Sequence, residues 1–254
     1  MADTDIGPSY GANRAAGAAR NFVHELDGFL PAQEAARIYA ILKRIEIPSS
    51  LFYISISALE EPQTVSLLGQ HLPDALAEFV VAHLRRLLRA APDDLQRRAH
   101  GFELWTTRPS RNKTGQIYIH IDCDEKLRIA TGAVRAPMLG SVLYLGPQAG
   151  LIGGETLFVM DDRLAEQLPP YKFHDWAALA GQPEAVRVVE HRTGKLALFA
   201  GHMHHGQGPV IDHPEGEPRV AFLANIWDTR IGDVPEGLCA LSPEEFRRKT
   251  EQQP

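Results

Sequence analysis

The chain has 254 residues, 44% hydrophobic and 23% charged, with a formal net charge of -6. That length suits one sizeable core, and an acidic balance without a Lys/Arg run offers no footing for a nucleic-acid backbone or an anionic lipid surface. Two cysteines, Cys123 and Cys239, are too few for a disulfide framework and are compatible with a reducing cytoplasm.

The acidic start Met1-Ala2-Asp3-Thr4-Asp5 lacks the basic and apolar segments of a secretory signal. The most apolar helical stretch, 79–88, is cut by His83, Arg85 and Arg86, so no membrane span and a cytoplasmic location are expected. Residues 1–20 are Gly/Ala-rich without apolar periodicity and read as a flexible tail. The remainder, 21–254, reads as a single domain: helices about 31–92, a β core about 101–228 and a short C-terminal extension, 229–254.

Phe22, Val23, Leu26, Phe29 and Leu30 lead into Pro31, which suits a first helical turn, and Ala35, Ile38, Tyr39, Leu42 and Ile45 then recur at helical spacing. A second helix is predicted over about 74–89, with Leu76, Phe79, Val80, His83, Leu84 and Leu87 on one face and an end near Ala91-Pro92. After Gly101 the pattern is that of strands: 102–107, 116–122, 141–145, 155–160, 185–190, 195–200 and 219–227, punctuated by Gly153-Gly154, Gly194 and the 212–218 stretch. Strands without intervening helices pack as an antiparallel sandwich or barrel, so the class is α+β.

His120 and Asp122 stand two apart on a strand-like run, so strand geometry points both to one face, where they can share a metal. Taken alone, the pair reads equally well as a surface pair at a strand end. Two histidines and one carboxylate on one side of an iron leave positions open for a bidentate cosubstrate and dioxygen. The second histidine must then come from a distant strand, and His202, His204 and His205 follow the apolar run 196–199. Arg219, fourteen positions after His205, heads the last apolar run; a buried guanidinium there needs an anionic partner, and its planar fork matches a carboxylate.

The order His120-x-Asp122, Tyr144-Leu145, Gly153-Gly154-Glu155-Thr156, Gly194-x-x-x-x-Phe199, distal histidine, Arg219 resembles the 2-oxoglutarate/iron(II)-dependent oxygenases of the prolyl 4-hydroxylase-like group. The resemblance spans about 22–228 and takes in Leu26-Asp27-Gly28-Phe29-Leu30-Pro31 and Gly115-Gln116-Ile117-Tyr118. It implies a double-stranded β-helix (jelly-roll) core with N-terminal flanking helices. It also implies iron(II) held by His120, Asp122 and His205. His205 is selected because the distal ligand of such proteins lies six residues after the strand-ending Phe, here Phe199, and four before a Pro, here Pro209. His202 and His204 are then surface or supporting residues.

By the same resemblance Arg219 pairs with the far carboxylate of 2-oxoglutarate and Tyr144 assists. Tyr118 is a further cosubstrate candidate, and each tyrosine reads equally as core. Glu155 holds a hairpin. The implied reaction consumes 2-oxoglutarate and dioxygen, with ascorbate an admissible reductant, releases succinate and carbon dioxide, and hydroxylates an unactivated C–H bond. Relatives that halogenate carry a small residue where this chain has Asp122. A small-molecule substrate, such as an amino acid or natural-product intermediate, is favoured because segment 123–139 is long enough for a lid and carries Lys126, Arg128 and Arg135. Trp105, Thr107, Arg108 and Arg111 are candidates to line the pocket. The alternatives are a peptidyl or protein hydroxylase of the prolyl-hydroxylase type and a non-catalytic metal-binding barrel serving as sensor or scaffold. A nucleic-acid demethylase is disfavoured because Asn225 stands where a second arginine is expected, and a zinc hydrolase because no His-Glu-x-x-His is present.

Overall fold

A computed structural model describes residues 21–47, 52–108, 118–168, 174–175, 179 and 182–231. The expected tail, most of the C-terminal extension, Arg111, Gly115 to Ile117 and Cys239 lie outside these residues. In chain order the elements are β1 (Val23–Leu26), α1 (Ala32–Leu42), β2 (Phe52–Ser55), α2 (Ile56–Glu60), α3 (Thr64–Leu68), α4 (Asp74–Ala90), α5 (Asp93–Arg98) and β3 (Gly101–Thr107). Then follow β4 (Tyr118–Ile119), α6 (Glu125–Thr131), β5 (Leu139–Gly146), β6 (Ile152–Gly153), β7 (Thr156–Val159), α7 (Asp162–Gln167) and β8 (His174–Asp175). The chain continues through β9 (Val186–Val189), β10 (Leu196–Ala200), β11 (His205–Gln207), β12 (Val210–Asp212) and β13 (Val220–Trp227). No helix among the described residues is long and apolar enough to cross a membrane.

Helices and antiparallel sheets are segregated. Six strands in the order β1-β10-β5-β13-β3-β2 form the main sheet, and β11-β7-β9 form a smaller one. Strand parity divides the main sheet into two faces. One face presents Phe102 and Leu104 of β3, Leu139, Leu143 and Leu145 of β5, Leu196 and Leu198 of β10, and Phe222, Ala224 and Ile226 of β13 to the helices. α1 contributes Ala35, Ile38, Tyr39 and Leu42 there, and α4 contributes Leu76, Phe79, Val80, Leu84 and Leu87. The sixteen Leu, Ile, Val and Phe side chains among these, each worth about 1.5–3 kcal/mol when fully buried, are the main source of cohesion between the layers. The opposite face packs Val142, Tyr144, Phe199 and Ala221 against Phe158 and Val189 of the smaller sheet.

α4 ends where predicted, because Pro92 bars helical backbone at Ala91, which is extended at ψ 152°. Pro31 precedes α1 rather than opening it. Val23–Leu26, the run that leads into Pro31, is a strand paired with β10. Within the expected helical region, 31–92, the stretch 52–68 holds a strand, β2, beside α2 and α3. The predicted strand 116–122 is described only over Tyr118–Ile119, with His120 in an isolated bridge and Asp122 in the loop beyond it. Asp122 therefore reaches the site from beyond the ladder, two residues after the His120 bridge.

Candidate metal and anion site

His120 and His205 face each other across an antiparallel bridge in which the His120 N–H donates to the His205 carbonyl at 2.9 Å and the reverse bond is 2.8 Å. That exchange fixes the two Cα atoms as neighbours and sets the imidazole centroids 4.9 Å apart. The Asp122 carboxylate closes the group: Oδ1 lies 3.3 Å from His120 Nε2 and Oδ2 lies 3.5 Å from His205 Nε2. One ligand atom from each of the three residues falls within 4.8 Å of the others. His205 Nδ1 is 3.0 Å from the Met203 carbonyl, which can only accept, so Nδ1 carries a proton and Nε2 is the atom turned to Asp122. Phe199 and Phe158 pack on the His205 ring with centroids 4.6 and 6.2 Å away.

Of the other two histidines, His202 is exposed and bonds Asn21 Oδ1 at 2.9 Å, while His204 is buried. Neither joins the triad. Burial alone would raise the Asp122 carboxyl, but His205 and His120 together hold it well below the usual carboxylate range. It stays ionised, as a ligand must.

Asn225 on β13 donates from Nδ2 to Asp122 Oδ2 at 3.1 Å. Its cross-strand partner on β3 is Glu103, which is buried and is pushed up to about 8 by burial and by the charge of Asp122. Across the inner face one row therefore runs Phe199, Gly140, Asn225, Glu103, Tyr53. Gly140 is required in it, since a Cβ there would stand 2.2 Å from the Phe199 ring.

Arg219 is fully buried. Its Nε donates to the Gly154 carbonyl at 2.8 Å, and Nη1 donates to Gln207 Oε1 at 2.7 Å and Thr107 Oγ1 at 3.4 Å. Every one of these partners is neutral, and among the described residues no carboxylate lies within ion-pair distance of it. Burial lowers the guanidinium to about 10, still protonated at neutral pH. Its Cζ lies 5.6 Å from the Tyr144 ring centroid, and the Tyr144 hydroxyl donates to Thr156 Oγ1 at 2.6 Å. Gly154 lets the arginine pass: its φ is +76°, and a Cβ would meet Arg219 Cδ at 2.8 Å. The approach to Arg219 is tied to α1 by the Tyr39 hydroxyl on the Pro218 carbonyl, 2.9 Å, and by Lys43 on Glu217, 2.7 Å.

The structure redistributes the expected pocket residues. Thr107 serves the guanidinium, and Arg108 turns back to the Lys43 carbonyl at 2.7 Å. Arg128 and Arg135 are committed to Glu125 and Asp124, while Lys126 is exposed. The Glu155 carbonyl accepts from Gly208 N–H at 2.7 Å. The Tyr118 side chain and Arg111 lie outside the described residues. Gln207, Asn225 and Glu103 were not singled out as members of the site from sequence. Gln207 was the most accessible of them, being two residues from His205 on one strand.

No family model matches the chain, and no curated protein matches it. The chain is similar to several solved structures. A prolyl-4-hydroxylase from Pseudomonas putida is 18% identical over 83% of this chain and 94% of that one, with a TM-score of 0.49. The epimerase SnoN from nogalamycin biosynthesis, in complex with Fe3+, alpha ketoglutarate and nogalamycin RO, is 16% identical over 82% and 80%, with a TM-score of 0.48. An oxidoreductase of the 2OG-Fe(II) oxygenase family from Burkholderia pseudomallei is 17% identical over 83% and 86%, with a TM-score of 0.46.

Proposed function

We propose that the chain is an iron(II)- and 2-oxoglutarate-dependent dioxygenase that hydroxylates an unactivated C–H bond of a small molecule, built on a double-stranded β-helix core. The observation that carries this reading is Arg219, a buried guanidinium with only neutral partners. A buried cation without a counter-charge is costly, so the position calls for an anion. Distance to the triad narrows the choice. Gln207, which receives Nη1, is two residues along β11 from His205, about 7 Å of strand. A five-carbon dicarboxylate spans that length with one end at the triad and the other at the guanidinium.

Two imidazoles and one carboxylate are a donor set for iron(II) that leaves coordination positions for such a cosubstrate and for dioxygen. When bound, iron(II) with 2-oxoglutarate and dioxygen supplies the oxidising power that turns C–H into C–OH, with succinate and carbon dioxide released. The chain's own residues hold and orient. Met203 fixes the His205 tautomer, Gln207 and Thr107 aim the guanidinium, and Phe158 and Phe199 exclude water from the His205 side. Asp122, a carboxylate rather than a small residue, favours hydroxylation over halogenation.

The small-molecule part of the proposal leans on α6. Asp124 caps that helix by accepting from Leu127 N–H at 3.0 Å and also pairs with Arg135, which fixes a wall two residues from Asp122. Such a wall suits a compact substrate better than a protein surface.

Purified protein supplied with iron(II) and 2-oxoglutarate is expected to release succinate slowly without substrate. His120→Ala and Asp122→Ala should each abolish that release. A wild-type protein that neither binds nor consumes 2-oxoglutarate would sink the reading. A screen of amino acids and extract metabolites for stimulated succinate release then identifies the substrate.

A further inference from the structure

Asp122 is the one member of the triad that no sheet ladder holds: it stands in the loop after His120, and its carboxylate has two oxygens either of which could turn to a cation. What restrains it is the inner face of the main sheet. Asn225, buried at the centre of β13, donates to Asp122 Oδ2 at 3.1 Å. Glu103, buried and directly across from it on β3, backs the amide from the neighbouring strand. On its other flank Gly140 leaves the space filled by Phe199, whose ring packs on His205.

We propose that Asn225 is a positioning residue for the metal: by occupying Asp122 Oδ2 it leaves Asp122 a single oxygen to ligate with, from a place on β13 backed by Glu103 on the neighbouring strand. One-oxygen ligation keeps free a position that a carboxylate bound through both oxygens would fill. The inference rests on the His120, Asp122, His205 site of the proposed function and adds to it a residue from the central sheet. Outer hydrogen bonds of this kind orient metal ligands, and their loss costs about 10–100-fold in metal affinity.

Cobalt(II) is the probe, because its visible absorption changes with coordination number and geometry independently of turnover. Wild type, His120→Ala, Asn225→Leu and Asn225→Val are titrated with cobalt(II), with circular dichroism to establish folding. Wild type is expected to bind and His120→Ala to lose binding. Asn225→Leu, which keeps the shape and removes the donor, should weaken binding about 10–100-fold and alter the absorption bands. Asn225→Val, β-branched and suited to a strand, also has no donor and should shift the bands in the same way, so it decides the matter if the leucine variant does not fold. Wild-type affinity and a superimposable spectrum in either folded variant overturn the positioning role and leave the metal site standing. Failure of folded wild type to bind cobalt(II) overturns both.

Discussion

The two faces of the main sheet are made from the same strands and differ only in strand parity, yet they obey opposite rules. On the helix-covered face, polar groups are few and are mostly answered by backbone: Ser141 Oγ donates to the Ala224 carbonyl at 2.7 Å, and Thr106 Oγ1 accepts from Ile47 N–H at 2.8 Å. On the inner face, Glu103, Asn225, Tyr144 and Arg219 are all buried, and the last three are linked to side chains of loops and of the smaller sheet. The first face minimises the cost of folding. The second accepts that cost in order to hold charge in fixed places, and Arg219 shows how far it goes, a buried cation whose hydrogen bonds all go to neutral groups.

The sharpest way to break this contrast is to damage each face and ask which property fails. Phe222 on the helix face packs edge-on to Phe79 at 5.4 Å and to His83 at 5.1 Å. Phe222→Ala should cost about 3–5 kcal/mol of stability in chemical denaturation, with cobalt(II) affinity of the folded fraction unchanged. Arg219→Met on the inner face should do the reverse: 2-oxoglutarate affinity falls about 100-fold, roughly 2.7 kcal/mol, while metal affinity holds. The stabilisation that 2-oxoglutarate gives wild type, about 2.7 kcal/mol at 100 times its Kd, should fall to about 0.4 kcal/mol for the variant at the same concentration. Equal loss of metal and cosubstrate would mark Arg219 as structural. A milder probe is Gly154→Ala, which forces a Cβ against Arg219 Cδ at a φ of +76°. It should cost about 1–3 kcal/mol in backbone strain and about tenfold, 1.4 kcal/mol, in cosubstrate affinity through the displaced guanidinium.

The two faces also differ in how much of them could be read from sequence. The helix face was legible because hydrophobic periodicity is local: α4 and the strands β3, β5, β10 and β13 sit close to the predicted ranges. Among the triad, the spacing of His120 and Asp122 marks the pair, although Asp122 lies beyond the ladder, in the loop after the His120 bridge. The choice of His205 leaned on family spacing; in space it follows from the bridge to His120, which no local pattern encodes. Asn225 was noted for departing from another group's motif, while its contact with Asp122 joins positions 103 residues apart. Contacts of that kind depend on strand order, and strand order was not derivable. β2 and the short helices α2 and α3 were missed because each has only 4 or 5 residues, too few to display a period.

The smallest effect tests the one place where the helix face breaks its own rule. His83 is buried on α4 between Phe29, Phe79 and Phe222, and neither ring nitrogen has a hydrogen-bond partner. Burial, helped by the charge of Arg86, lowers it to about 3. The folded protein therefore keeps His83 neutral where an unfolded chain, with an ordinary value near 6.5, takes up a proton. Above pH 6.5 the group has the same charge in both states and stability does not depend on it. As the pH falls from 6.5 toward 3, the unfolded state binds the extra proton and stability drops, by up to about 1.4 kcal/mol per pH unit. His83→Leu removes both the unanswered N–H and the titration. It should stabilise the protein by about 1–3 kcal/mol at pH 7 and widen that advantage steadily between pH 6 and pH 4, read as the difference in denaturation free energy. A gap that stays constant over this range would mean that His83 is not held neutral in the fold. A variant less stable than wild type at pH 7 would mean that the imidazole is answered by a contact on this face, and the contrast between the two faces would lose its clearest exception.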